Sequence, residues 1–475
     1  MTQEPALTLE RNTITDLPFA DMWDADLGSR DPLDFPGFEA VSARDESLRA
    51  GLVHAPLGDY VLIEVDFARE GGTLGAVTGE RMVRAYRRAT ERGLPIAQII
   101  SSGGARLQEG YFALTQMTRT ASAAAAHRAA GLMTASAFRS PTAGGIFASW
   151  GNTAEVRAAS PGATLGFAGP RVVQTVTGAF PPATSHTAES ALANGLIDAI
   201  VPEEEQLAWL ERAIGVRAGA PALATDHAGP AFAGAAATAW DAILASRAPE
   251  RPSGADWASW ITDSWIELRG PGERLRAGIA EIGDQRLIVI ALDRDRSGGT
   301  LSLPRPEDYR LARRAVGLAD RLRLPVLTII DTPGADPSPS SEAGGIANEI
   351  AELLVALADL RSVSVSLVVG EAGSGGAVAF AHTDTLYMLE GSAFPVIGPE
   401  AGAAVIYRDP ERAREFAEAI QPLPAQLVAF GFADAALPET VPEVRAAIAA
   451  ALDPERIGRR NTRPDRAVEG AVGTE

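Results

Sequence analysis

Short apolar runs alternate with longer stretches of helical periodicity along this chain. Val61–Asp66, Ile96–Ile100 and Leu132–Phe138 are mostly apolar, the pattern of strands buried on both faces of a sheet. Between them Thr78–Arg92 puts Met82, Val83, Tyr86 and Ala89 on one helical face, and Tyr111–Ala130 reads as an alanine-rich helix. A glycine loop at Gly144-Gly145, a short helix, an extended run Glu155–Ala159 and closing helices at His186–Ala193 and Glu203–Val216 follow. The second half starts near Trp240 with a helical segment bearing Arg and Trp, then a hairpin at Gly283. The pattern next predicts a helix over Tyr309–Leu322, a strand over Val326–Ile330, a long helix over Glu342–Leu360 and a strand over Val363–Val369. A small-residue helix from Gly376 and short strands at Asp384–Leu389 and Ala393–Ile397 complete it. Strands alternating with helices predict an α/β class built from crossover units. Asp31–Pro36 reads as an extended entry segment, Gly71–Gly75 as a flexible turn, and the polar tail beyond Arg459 as loose.

The two halves repeat one another. Leu94-Pro95, Ile96–Ser102 and Gly103–Arg106 are echoed by Leu324-Pro325, Val326–Asp331 and Thr332–Ala335. Thr142–Ala148 parallels Gly373–Ala379, and Gly166–Pro170 parallels Pro395–Pro399. Gly58-Asp59 and Gly283-Asp284 each stand before an extended run and fit two-residue turns. Matching order over so many features predicts two copies of one fold: residues 1–216, a linker rich in Ala, Gly and Pro at 217–235, and residues 236–475. A length of 475 residues suits two cores. In each copy a glycine-rich turn joins a strand to a helix. There the first amides lack partners and the dipole favours negative charge, an arrangement that suits a developing oxyanion.

Composition narrows the chemistry. The chain is 46% apolar and carries no cysteine, so disulfides and thiolate zinc sites are excluded. The acidic start, the absence of a membrane-length apolar run and the lack of cysteine fit a cytoplasmic protein with no membrane partner. A net charge of −19 argues against nucleic acid as a partner. All 42 basic residues are arginine. Without lysine the chain has no P-loop, forms no Schiff base and cannot carry biotin through a lysine amide. The five histidines show no ligand spacing, so no metal is expected.

These motifs resemble a known family. Asp31–Phe35, Gly71–Gly75, Ser101–Gly110, Pro141–Gly145 and Gly166–Arg171 are similar to the β subunit of bacterial acetyl-CoA carboxylase carboxyltransferase. Pro304–Tyr309, Ile330–Ala335, Gly370–Ala377 and Val396–Glu400 are similar to its α subunit. The resemblance covers roughly residues 30–215 and 235–440 and implies two tandem crotonase-like (ClpP/crotonase) domains, each a ββα spiral, with the β-like half first. Two departures stand out: the four-cysteine zinc ribbon of the β subunit is missing, and Pro337–Gly345 replaces a more charged stretch of the α subunit.

The resemblance implies transfer of CO₂ from carboxybiotin, borne by a separate biotin carboxyl carrier protein charged by a biotin carboxylase, to the α carbon of acetyl-CoA or another short acyl-CoA. It assigns Gly144 and Gly145 to the acyl-CoA enolate, and Gly376 and Ala377 to the biotin ureido oxygen. It assigns Gly103, Gly104, Ala105, Arg106 and Gly169 to coenzyme A, and Gly334, Ala335 and Gly375 to biotin. It also implies a homodimer or larger homo-oligomer. Bland readings stand beside these. Arg106 either meets a CoA phosphate or pairs with Glu109; Glu109 reads better as a helix N-terminal acid than as an acid/base group; Asp331 reads as a turn cap. Glu371 is expected to orient its loop, and Met117 and Trp150 to pack. Two other functions remain open from the residues: a biotin-independent decarboxylase of malonyl thioesters, of the malonate decarboxylase type, and a non-catalytic scaffold.

Overall fold

The computed structural model describes residues 17–31, 33–227, 229, 238–293, 303–469 and 471–472. It forms two compact units, Met1–Ala218 and Gly219–Glu475. Pro32 of the entry segment, and residues 228 and 230–235 of the expected linker, lie outside the described residues. The early part of that linker belongs to the second unit: the Pro221 carbonyl accepts from the Trp265 amide at 2.8 Å and Leu223 is buried in the core.

The first unit holds β1 (Asp21–Met22), β2 (Leu48–Ala55), β3 (Gly58–Val65), β4 (Ile96–Ser102), β5 (Thr134–Ala143), β6 (Val156–Ala159), β7 (Leu165–Gly166) and β8 (Ala199–Ile200). The sheet runs β1-β2-β3-β4-β5-β6-β8, with β7 also paired to β5; the first three strands are antiparallel and the rest parallel. Its helices are α1 (Ala76–Arg92), α2 (Tyr111–Ala129), α3 (Gly144–Phe147), α4 (Pro170–Thr177), α5 (Ala188–Ala193) and α6 (Gln206–Ala213). The apolar face expected on α1 is the core face. Met82, Val83, Tyr86 and Ala89 pack with Val61, Ile63, Ile96, Ile100 and Phe138. Trp150 is buried there, with Met117 packed against it, as their packing roles require.

The second unit holds α7 (Ala239–Ser246) and α8 (Gly254–Ile261), then β9 (Ser264–Leu268), β10 (Leu275–Ile282), β11 (Gln285–Leu292), β12 (Val326–Thr332), β13 (Ser364–Ala372), β14 (Thr385–Leu389) and β15 (Ala435–Leu437). These pair in chain order, β9 to β11 antiparallel and the rest parallel. The chain also forms α9 (Pro306–Leu322), α10 (Pro339–Ala343), α11 (Ile346–Ala358), α12 (Ser374–Ala381) and α13 (Pro399–Ile406). Trp257, Ile261, Leu287, Val289, Leu327, Ile329, Val365 and Leu367 make up its core.

The structure corrects several local expectations. The helix read over Glu342–Leu360 is two helices, because Gly344-Gly345 breaks it and Gly345 stands at φ +83°. Ala393–Ile397 is no strand; it makes a single bridge, Ala393 with Glu371. The first hairpin turns at Pro56-Leu57, since Ala55 already pairs with Gly58, whereas Gly283-Asp284 do form the turn closed by Ile282 and Gln285. Gly71–Gly75 is packed: a Cβ on Gly72 would lie 2.1 Å from the Ser101 carbonyl.

Among the described residues the start of the tail beyond Arg459 is not loose. Arg460 is fully buried and forked onto Asp384, with Nε to Oδ1 at 3.0 Å and Nη2 to Oδ2 at 2.7 Å. It also reaches the carbonyls of Leu357 and Ser362, so the tail is anchored at the sheet. Polar composition predicted exposure; the bidentate partner overrides it.

Candidate functional site

In each unit two parallel strands carry the loops. The β4–β5 ladder breaks between Ile100 and Ser102, where Ser102 pairs with Thr142; the β12–β13 ladder breaks between Ile330 and Thr332, where Thr332 pairs with Ala372. Past the break, Ser102 Oγ accepts the Gly104 amide at 3.1 Å and Thr332 Oγ1 accepts the Gly334 amide at 3.3 Å. The Gly144 amide donates to Phe167 at 3.0 Å and the Ser374 amide to Pro395 at 3.1 Å. One constant offset therefore equates Ser102 with Thr332, Gly104 with Gly334, Ala105 with Ala335, Gly144 with Ser374 and Gly145 with Gly375. This shifts the alignment of Thr142–Ala148 with Gly373–Ala379 by one residue.

Glycine is required where the loops touch. Gly144 stands at φ +67° and a Cβ on it would lie 2.6 Å from Gly104 Cα, so the two backbones approach more closely than any side chain allows. In the second unit Ser374 takes the same left-handed turn, φ +63°. There the close approach moves to Gly376, whose Cβ would lie 2.6 Å from the Ala335 amide nitrogen and 2.9 Å from the Tyr309 hydroxyl.

Counting amides separates donors from scaffolding. The Gly144 amide is committed to Phe167, and the Ala377 amide donates to the Gly373 carbonyl at 3.2 Å. Both amides, expected among the donors, are thus bonded within the loops themselves. The amides of Ala105 and Gly145 in the first unit, and of Ala335, Gly375 and Gly376 in the second, have no acceptor among the described residues. A Cβ on Gly104 would stand 3.7 Å from the Gly145 nitrogen, which puts the Gly103–Arg106 loop beside the start of α3. Each unit thus presents open amides from a loop and a helix start, an anion-binding arrangement. Gly169 is the N-cap of α4 with Pro170 at its first turn; a Cβ on it would meet nothing within 4 Å.

Arg106 does not face this opening. Its side chain is 2% exposed, doubly bonded to Glu46 at 2.9 Å and bonded to Glu109 at 2.9 Å. Of the two readings open for it, a CoA phosphate or Glu109, the geometry shows the pair with Glu109, with Glu46 added, and the guanidinium is saturated by these two buried carboxylates. Glu109 also accepts the Ala76 amide at 2.6 Å, so it is the N-terminal acid of α1 supplied from a distant loop. Asp331 is buried, packed against Gly370, where a Cβ would lie 2.1 Å from its Oδ1.

Supporting residues surround the second-unit loop. Glu371 receives both Nε and Nη2 of Arg247, at 2.7 and 2.9 Å, and Arg247 Nη1 reaches Glu400 at 2.6 Å. This ties the end of β13 to the first turn of α13, and Glu371 does orient its loop. Tyr309 Oη donates to the Gly376 carbonyl at 3.1 Å; burial pushes its pKa far up, so it stays a donor. Arg247 was missed because it lies far from the loop in sequence. Tyr309 stood in a quoted motif, yet spacing alone gave it no role. Among the described residues no group of three or more His, Cys, Asp or Glu could hold a metal.

A family model described as acetyl co-enzyme A carboxylase carboxyltransferase-like matches residues 233–454. The acetyl-coenzyme A carboxylase carboxyl transferase subunits beta/alpha of Salinispora tropica are 35% identical over 405 residues, covering 80% of this chain and 71% of that protein. A probable biotin-dependent acyl-coenzyme A carboxylase beta3 subunit of Mycobacterium tuberculosis is 34% identical over 405 residues, 84% of this chain and 81% of its own. Among solved structures, the transcarboxylase 12S hexamer with methylmalonyl-coenzyme A bound superposes with a TM-score of 0.75 at 21% identity, over 91% of this chain and 86% of that one. The α/β fold is accordingly the tandem crotonase-like one.

Proposed function

The chain belongs to the carboxyltransferase family of acetyl-CoA carboxylases, and we propose that it moves a carboxyl group from carboxybiotin on a separate carrier protein to the α carbon of acetyl-CoA or another short acyl-CoA. One observation carries this reading: two sets of open amides at equivalent places, Ala105 with Gly145 and Ala335 with Gly375 and Gly376. Proton removal beside a thioester puts negative charge on the thioester oxygen, and preorganised amides stabilise it; one such donor is worth roughly 3–4 kcal/mol in other enzymes. Ala105 and Gly145 serve that oxygen, with Gly103, Gly104, Gly144 and Gly169 shaping the coenzyme A side.

The second set fits biotin. A ureido carbonyl is a strong neutral acceptor, and the donors offered are amides only, beside the open space at Gly375, where a Cβ would meet nothing within 4 Å. Biotin, when bound, supplies the carboxyl group and the base. Ala335, Gly375 and Gly376 hold its ureido oxygen, Gly334 and Ala377 keep the two loops in register, and Tyr309 fixes the Gly376 peptide. With no lysine in the chain, biotin arrives on a carrier protein charged by a biotin carboxylase.

Each unit also exposes an apolar helix end: Phe167, Val172, Val176 and Phe180 around α4, and Val396, Val405 and Ile406 around α13. Surfaces of this kind mark interfaces. We place the first half of one copy against the second half of another in a homodimer, working in the cytoplasm, with domains at 1–216 and 236–475. Among the described residues no helix is long and apolar enough to cross a membrane.

The test is the reverse reaction with purified protein, malonyl-CoA and free biotin, following acetyl-CoA. Turnover that requires biotin supports the reading. Turnover without biotin would instead make the chain a malonyl-thioester decarboxylase, and none with any acyl-CoA a scaffold.

A further inference from the structure

The helix behind the second-unit site is held at its far end by a residue outside the span of the family model. The last carbonyls of α12 point into the core and are fully used. Phe380 O accepts from Thr328 Oγ1 at 2.7 Å and from Ser366 Oγ at 2.9 Å. Ala381 O accepts from Arg463 Nη2 at 2.8 Å. The same guanidinium donates from Nε to Thr383 O at 3.2 Å and from Nη1 to Phe432 O. Arg463 is 4% exposed and has no carboxylate among its hydrogen-bond partners in the described residues. A buried cation bonded only to carbonyls is costly unless something negative faces it. Here the negative end of α12 does so, together with the Asp434 and Asp384 carboxylates, whose charges also act on it.

The first unit is built differently. Its α3 ends at Phe147 after one turn, and Ser149 Oγ donates to the Gly145 carbonyl at 2.6 Å. No arginine bonds a carbonyl of α3 among the described residues. The longer helix and its cationic anchor therefore belong to one of the two sites only.

We propose that Arg463 is a positioning residue of the second-unit site: by gripping the carbonyl end of α12 it fixes the helix along its axis and leaves the amide end, Gly375 and Gly376, more positive toward a bound ureido oxygen. The proposal rests on the reading that these amides receive biotin. Eight residues of helix separate the ends by about 11 Å. Across roughly that distance, at an effective dielectric of ~20, one buried charge changes binding of a developing negative oxygen about ten-fold.

The experiment uses the full chain in the reverse assay with malonyl-CoA and free biotin. Arg463→Met is expected to lower kcat/KM for biotin about ten-fold while KM for malonyl-CoA stays within about two-fold, and Arg463→Lys to recover most of the loss. If Arg463→Met does not fold, Arg463→Gln is read the same way. Parallel losses on both substrates, or a melting change with biotin kinetics intact, overturn the proposal, as does a lysine variant as impaired as the methionine one. Wild-type turnover that needs no biotin overturns the functional reading and this proposal together; biotin-dependent wild type with equal losses overturns this proposal alone.

Discussion

Replacing Arg106 with methionine separates a structural arginine from a substrate-binding one. The guanidinium bonds Glu46 through both terminal nitrogens, Glu109 through Nη1, and Thr73 Oγ1 through Nε at 3.1 Å. Glu46 and Glu109 are each 0% exposed, so the variant leaves two carboxylates in the interior without their cation. Breaking a buried pair in this way costs about 3–5 kcal/mol. For a unit of this size each kcal/mol is worth ~2–4 °C, so the first unit should melt about 6–20 °C lower. Differential scanning fluorimetry reads the melt, and steady-state kinetics below it read KM for the acyl-CoA, which should stay within about two-fold. Adding Glu46→Met should cost less than the sum of the two single changes, since the partners are coupled. A variant that melts with the wild type while its acyl-CoA KM rises ten-fold or more would show that the guanidinium reaches phosphate, and the assignment would fail.

Three further outcomes follow from the loops and the core. Gly144→Ala should cut kcat by about 10²–10³ by displacing an oxyanion donor, because its left-handed φ and the 2.6 Å approach to Gly104 forbid a Cβ; Gly145→Ala should stay within about three-fold, since its Cβ meets Met117 Sδ at an ordinary 3.4 Å. Tyr309→Phe removes the donor to Gly376 O, and about 1–3 kcal/mol of stability with it, and in the reverse assay should raise KM for biotin but not for malonyl-CoA. His127 is buried and its pKa pushed down from 6.5 to about 4 by desolvation, so the unfolded chain binds the proton first: stability is intact above pH 6.5 and falls by about 3 kcal/mol as pH drops toward 4. Urea titrations of His127→Asn across that window should show a shallower loss than wild type, and an identical slope would remove His127 from the account.

The repeat was legible because both copies use the same elements: an apolar strand, a glycine-bearing loop and a second strand ending in a small-residue helix. Periodicity found α1 and the central strands because burial there is continuous, as along β4, where every residue is buried. It failed where a local rule was overridden. Gly344-Gly345 splits a pattern whose apolar spacing runs on regardless. Arg460 and Arg463 read as solvent-facing because nothing near them in sequence shows Asp384 or the carbonyls of α12. Arg106 was balanced between two partners because Glu46, the deciding one, lies sixty positions away in the chain.

The one-residue slip in the loop alignment is the most instructive miss. Matching Gly-Gly to Gly-Gly equates Gly144-Gly145 with Gly375-Gly376, but the Gly144 and Ser374 amides, each bonded to a carbonyl of the strand-end segment beyond, set the register instead. The residue at the left-handed turn is glycine in one unit and serine in the other, since only the first is pressed against a neighbouring Cα. In the second unit the bare position moves along the helix to Gly376, where the Ala335 amide and the Tyr309 hydroxyl crowd in. Glycine therefore marks where backbones must approach, and the donors are the amides that no carbonyl has claimed. Applied to both loops, that rule is why the proposed donors are Ala105 rather than Gly144, and Ala335 and Gly375 rather than Ala377, alanines and glycines whose side chains carry no signal of their own.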